Sequence, residues 1–182
     1  MRGTMLVSSI ENLRLLGHYE RYLSLLPVQH SDTLVYAIAT SWVPMEVALA
    51  HYAACDALEL DEPERQRLGE LMAERVASTF LAAMLRGSRS LGVDGFWLAL
   101  GQNDRLYDRM YQGGGVRVIQ TGPKDATLEN HGLPLVQSRH FRSAYVAYMT
   151  ALVRLFAKTA YVQQVHPSHP HPHSIAVAGS WV

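Results

Sequence analysis

The chain has 182 residues, 48% hydrophobic and 18% charged, which is enough apolar material for a buried core and excludes a disordered segment. Its 16 basic residues balance 16 acidic ones, against the basic excess that a nucleic-acid or anionic-membrane surface needs, so no nucleic-acid partner is expected. The single cysteine, Cys55, excludes an internal disulfide framework and a cysteine-rich zinc site.

No basic start followed by an apolar signal core opens the sequence, and residues 1–182 read as one cytoplasmic domain. The stretch Leu34–Ala54 is the most apolar, but Pro44, Glu46 and His51 interrupt it. A membrane span needs roughly 20 mostly apolar residues without such breaks, so none is expected. The segment reads instead as a buried lead-in to a core helix from Pro44 to about Leu60. Pro44 suits its first turn, and Ser41 is a candidate cap.

Asp61-Glu62-Pro63-Glu64 is a strong helix start: Asp61 can cap free amides, Pro63 fits the first turn, and the two glutamates complement the helix dipole. Leu68, Leu71, Met72, Val76, Phe80, Met84 and Leu85 then recur three or four apart, predicting an amphipathic helix that ends near Gly87. A shorter, less periodic helix follows between Leu91 and Met110. After Gly113-Gly114-Gly115 the period changes to two. Val116, Val118 and Gln120 alternate with Arg117, Ile119 and Thr121, Gly122–Asp125 is a turn, and Ala126–His131 is the return strand. Ser138–Lys158 is helical again, with Phe141, Tyr145, Tyr148, Leu152 and Leu155 on one face. Tyr161–Val165 and Ser174–Val182 are β-like, with His166–His173 as the loop between them. The expected fold is α+β: N-terminal helices packed on a small antiparallel sheet made of two hairpins separated by a long helix.

Several short landmarks carry a resemblance. They are Arg2-Gly3-Thr4, Ser41-Trp42-Val43-Pro44-Met45-Glu46, Thr121-Gly122-Pro123, Gly132-Leu133-Pro134-Leu135 and Gly179-Ser180-Trp181. With them the chain resembles, over nearly its whole length, a paralogous family of small uncharacterised proteins expanded in myxobacteria. The order of elements is also similar to the wider group of vinyl-reductase-type ligand-binding domains, haem–nitric-oxide-binding domains and vesicle-tethering TRAPP subunits. That resemblance implies a hydrophobic small molecule held between helices and sheet, and a homodimer. The haem-binding branch's axial histidine and its Tyr-x-Ser-x-Arg signature match no position here, so no cofactor is expected.

The most conspicuous local feature is His166-Pro167-Ser168-His169-Pro170-His171-Pro172-His173. Imidazoles bind zinc, nickel and copper, but alternating prolines stiffen the tract toward polyproline II and hinder convergence on one ion. No metal site is expected. His51 and Cys55 sit four apart on the predicted core helix and so share a face. Lying among Tyr52 and alanines, this cysteine reads as a buried apolar residue rather than a nucleophile. Gly113-Gly114-Gly115 is no phosphate loop, since it lacks the Gly-Lys-Ser/Thr ending and leads into a strand. Neither a Gly-x-Ser-x-Gly elbow nor a His-Glu-x-x-His helix occurs.

Three functional readings follow. The first is a ligand-binding or sensory module for a hydrophobic small molecule, with Trp42, Tyr52, Arg142, Tyr145 and Tyr148 lining its pocket beside His140. The second is a cofactor-independent cyclase or isomerase, with Glu46, His51 and His131 as catalytic acid–base candidates, followed by Tyr145. Against it, Glu46 fits equally as a charge complementing a helix start, and Trp42 as a core anchor. The third is a dimeric scaffold subunit joined through an apolar face.

Overall fold

The computed structural model describes residues 1–77, 93–169 and 171–182. Five helices come first: α1 (Gly3–Leu15), α2 (Tyr19–Leu25), α3 (Val28–Val35), α4 (Met45–Ala57) and α5 (Glu62–Ala77). Two short helices, α6 (Val93–Leu100) and α7 (Asn103–Met110), precede the hairpin β1 (Gly115–Gly122) and β2 (Asp125–His131). A 3-10 turn (Pro134–Gln137) leads into the long α8 (Arg139–Arg154), and β3 (Ala160–Val165) and β4 (Ile175–Trp181) complete the sheet. The architecture is the expected α+β arrangement, with two hairpins on either side of a long helix.

Local chemistry sets most boundaries. At the start of α5 the Asp61 carboxylate accepts from the Glu64 amide at 2.9 Å, and the Glu64 carboxylate accepts from the Asp61 amide at 3.3 Å. This reciprocal pair satisfies two amides that the helix cannot. The predicted second half of this helix, with Phe80, Met84, Leu85 and Gly87, lies outside the described residues. The Ser138 hydroxyl caps α8 by accepting from the Phe141 amide at 3.0 Å. Two expectations for α4 need correction. Ser41 does not cap it; its hydroxyl donates to the Ile38 carbonyl, closing a local turn. The helix also ends at Ala57 rather than Leu60, because Glu59 turns into the left-handed region at φ 53°. The segment predicted as one helix up to Met110 is two, broken at Gly101-Gln102.

The strands pair antiparallel in the order β1-β2-β4-β3. The β1–β2 register runs from Gly115 opposite His131 to Gly122 opposite Asp125, with one irregularity beside the turn. On β2 the side chains of Ala126, Leu128 and Asn130 are buried, and on β4 those of Ile175, Val177 and Trp181. Helices α6 and α8 cover this face: Phe96 meets Trp181 edge-on at 4.5 Å between ring centres, and Met149 and Val153 pack beside them. The Trp97 indole N–H donates to the Pro123 carbonyl at 3.1 Å, fastening α6 to the hairpin turn. Helix α5 crosses α8 closely at Gly69, where a Cβ would lie 2.8 Å from the Ala144 backbone and closer still to its carbonyl oxygen. Among the described residues, no helix is long and apolar enough to cross a membrane.

Candidate functional site

Where α8 passes over the end of β2, the packing opens into a cavity of about 60 Å³. Helix α8 supplies one wall through Phe141, Ala144, Tyr145, Tyr148, Met149 and Leu152, the helical spacing visible in the sequence. Helix α7 and the residue after it supply the opposite wall through Asn103, Leu106, Tyr107, Met110 and Tyr111. Met5 of α1, Tyr52 of α4, Met72 of α5 and Asn130 of β2 complete the lining. The void is larger than the roughly 30 Å³ that one liquid water occupies, and far below the ~300–1,000 Å³ of a pocket that encloses a drug-sized ligand. Methionines on four different elements surround it, and their unbranched, polarizable chains can rearrange around a guest.

The polar part of this lining is phenolic. The Asn130 amide donates to the Tyr145 hydroxyl at 2.7 Å, which leaves the hydroxyl hydrogen of Tyr145 available. The Tyr107 hydroxyl donates to the Gly113 carbonyl at 3.2 Å. The glycine run makes that approach: Gly113 and Gly114 both have positive φ, and a Cβ on Gly114 would lie 2.6 Å from the Tyr107 hydroxyl. The hydroxyls of Tyr52, Tyr111 and Tyr148 find no hydrogen-bond partner among the described residues, although each residue is less than 10% exposed. Burial pushes the Tyr145 hydroxyl up to about 12, and it raises Tyr52, Tyr111 and Tyr148 further. All four therefore stay protonated and neutral at ordinary pH.

The remaining candidate residues lie elsewhere. Trp42 is 38% exposed and stacks under the Arg2 guanidinium at 4.8 Å, on the rim of a separate surface depression. Arg142 donates to the carbonyls of Val136 at 2.7 Å and Gln137 at 3.0 Å, closing the 3-10 turn before α8. Glu46 is exposed in the first turn of α4. His131 is exposed as the last residue of β2, with its ring against that of His171 at 5.6 Å. Of the two groups sequence reasoning proposed, only Tyr52, Tyr145 and Tyr148 meet in one cavity; Tyr107 and Tyr111, which join them, went unrecognised in the weakly periodic stretch before the glycine run. Their four-residue separation was the available signal.

His51 is sealed completely, with no exposed surface. One ring nitrogen, Nδ1, pairs with the Tyr22 hydroxyl at 2.7 Å and the other, Nε2, with the Ser9 hydroxyl at 2.9 Å. The Cys55 sulfur lies 3.6 Å from the same Nε2, but burial pushes its thiol up, and a protonated thiol is a poor nucleophile. Ser9, His51 and Tyr22 thus form a hydrogen-bonded string joining α1, α4 and α2, and none of the three lines the tyrosine cavity. Tyr22→Phe is expected to cost about 2 kcal/mol, because it leaves a buried ring nitrogen unpaired. Thermal unfolding should then begin roughly 4–8 °C lower, and an unchanged melting temperature would show that the string contributes no stability.

The histidine tract does not gather. His169 pairs with Arg117 at 3.2 Å, His173 with Gln137 at 3.0 Å, and His171 meets His131 edge-on. Among the described residues no three histidine, cysteine or acidic side chains are grouped so as to hold a metal ion.

No protein-family model matches the chain, and no curated protein matches it either. Solved structures do. A chain from work on haem distortion in the H-NOX family superimposes with a TM-score of 0.67 at 9% identity, covering 100% of this chain and 95% of that one. An oxygen-binding H-NOX domain related to soluble guanylate cyclases gives 0.65 at 11% identity, covering 100% and 95%. The Fe(II) unliganded H-NOX protein from K. algicida gives 0.63 at 7%, covering 100% and 97%. At such identities the likeness establishes the fold: this chain has the architecture of the H-NOX domains along its whole length.

Proposed function

We propose that the chain is a small-molecule-binding sensory module on an H-NOX-like fold, whose ligand is an apolar compound held in the tyrosine-lined cavity without a haem. The observation that carries this reading is the cavity itself, an apolar void at the helix–sheet junction with a few convergent polar groups. The structural neighbours, some described by the haem or oxygen they bind, support a sensory role by analogy of fold.

A haem does not suit these residues. Among the described residues no histidine or cysteine lines the cavity. The two buried histidines are His51, with both ring nitrogens already paired, and His140, which is not part of the lining. The phenols that do line it sit in surroundings that disfavour their charged form. Among the described residues no arginine or lysine lines the void to pair with propionates, and about 60 Å³ is a small fraction of what a porphyrin would need. Membership of the myxobacterial paralogous group remains a proposal, which rests on the resemblance of the short sequence landmarks alone.

Native mass spectrometry of the untagged protein, with an organic extract of the same sample analysed beside it, tests the proposal. An apolar compound of small mass bound at one per chain is the expected result. Added hemin should give neither a stoichiometric complex nor a sharpened Soret band. A tight one-to-one haem complex would overturn the reading.

A further inference from the structure

Resting on the ligand-binding reading above, we infer that the cavity selects neutral molecules bearing a carbonyl-type oxygen, which the unpaired hydroxyls of Tyr52, Tyr111 and Tyr148 receive as hydrogen-bond donors. Tyr52 of α4, Tyr107 of α7, Tyr111 just after it, and Tyr145 and Tyr148 of α8 all line this one cavity. Of these, three have no hydrogen-bond partner among the described residues, and Tyr145 keeps its hydrogen because it accepts from Asn130.

A phenolic hydroxyl that lines a cavity without a protein partner can offer its hydrogen to an acceptor that enters. Three such tyrosines line this cavity. The charge of that acceptor follows from the walls. Among the described residues no cation lines the cavity, so these walls offer an entering anion no countercharge for its lost hydration. A carboxylate or phosphate is disfavoured for that reason. A ketone, aldehyde, ester or quinone oxygen has two lone pairs, carries no net charge and takes two such donors at once. The apolar remainder of the molecule would lie along Met5, Met72, Met110, Met149 and Leu152, where methionine side chains can yield to give more room than the resting void offers.

Acetophenone and ethylbenzene are nearly equal in shape and differ in the carbonyl, which makes them suitable probes. Binding to the full chain would be measured by calorimetry and by the infrared carbonyl stretch of bound acetophenone. The expected result is at least about tenfold tighter binding of acetophenone, the size of one good hydrogen bond, with its stretch moved to lower wavenumber. In the Tyr111→Phe protein that ratio should fall toward one. Because this variant removes an unpaired hydroxyl it should fold at least as well as the parent, and Tyr148→Phe provides a second, independent variant. Equal binding of the two probes would overturn the donor assignment while leaving the cavity as a ligand site. Binding of neither at millimolar concentration would overturn the ligand reading itself.

Discussion

Acidification from pH 7 toward pH 4.5 is expected to cost the protein about 5 kcal/mol of its folding stability, a large share of what a domain of this size holds. The cause is two buried histidines. His51 is held down to about 3, first by burial and then by His140. His140 is held down to about 4, chiefly by burial, with Asp56 opposing and Arg65 adding to the effect. In the unfolded chain both rings take up a proton near pH 6.5. Between pH 6.5 and the folded values the unfolded state therefore binds more protons, and each ring removes about 1.4 kcal/mol of stability per pH unit of acidification. The contribution is complete above pH 6.5 and is lost as pH falls through 5 toward 4. Urea unfolding midpoints at half-unit pH steps measure the slope directly. His140→Gln, which cannot titrate, should roughly halve it, and a midpoint constant from pH 7 to 5 would remove both rings from the acid response.

Gly69→Ala should destabilise the protein by about 3 kcal/mol, the opposite of what helix propensity alone dictates. In an exposed helix interior, replacing glycine by alanine gains roughly 1 kcal/mol. Gly69 is not exposed in that sense. It is where α5 meets α8, and the added methyl would press on the Ala144 backbone, at 2.8 Å from its Cα and carbonyl carbon. Backbone in the middle of a 16-residue helix cannot step aside as a flexible side chain does, so the helices must part. Thermal unfolding should drop by roughly 6–12 °C. Because Ala144 also lines the cavity, probe affinity should change with it. A rise in melting temperature would show that the two helices are not locked at this point.

What could be read in the sequence was what neighbours along the chain decide. The capping pair at Asp61 and Glu64, the period-two run after the glycines and the tyrosine stripe of α8 are all local, and each corresponds to an element of the structure. The cavity was half legible for the same reason: Tyr145 and Tyr148 share a helix face, whereas Tyr107 and Tyr111 join them only through tertiary packing. His51 shows the limit most clearly. Its partners Ser9 and Tyr22 lie 42 and 29 residues away, and no pattern along α4 announces them. Trp42 misled on general grounds, since a large aromatic beside a helix start is commonly a core anchor. Here the Arg2 guanidinium covers its face and keeps it at the surface.

The order β1-β2-β4-β3 places the last strand of the chain in the interior of the sheet. During synthesis the first hairpin, α8 and β3 therefore leave the ribosome before the strand that joins them exists. The helices α1 to α5 can assemble among themselves while translation continues, since they pack against one another early in the chain. Residues such as Leu128 and Val162, by contrast, wait for Val177 and Trp181 to cover them. A nascent chain halted anywhere before Ile175 would hold an apolar hairpin and an unpaired strand edge at once, a combination that recruits chaperones or aggregates. Loss of these seven residues would thus remove two of the sheet's three strand pairings at once and leave only the first hairpin.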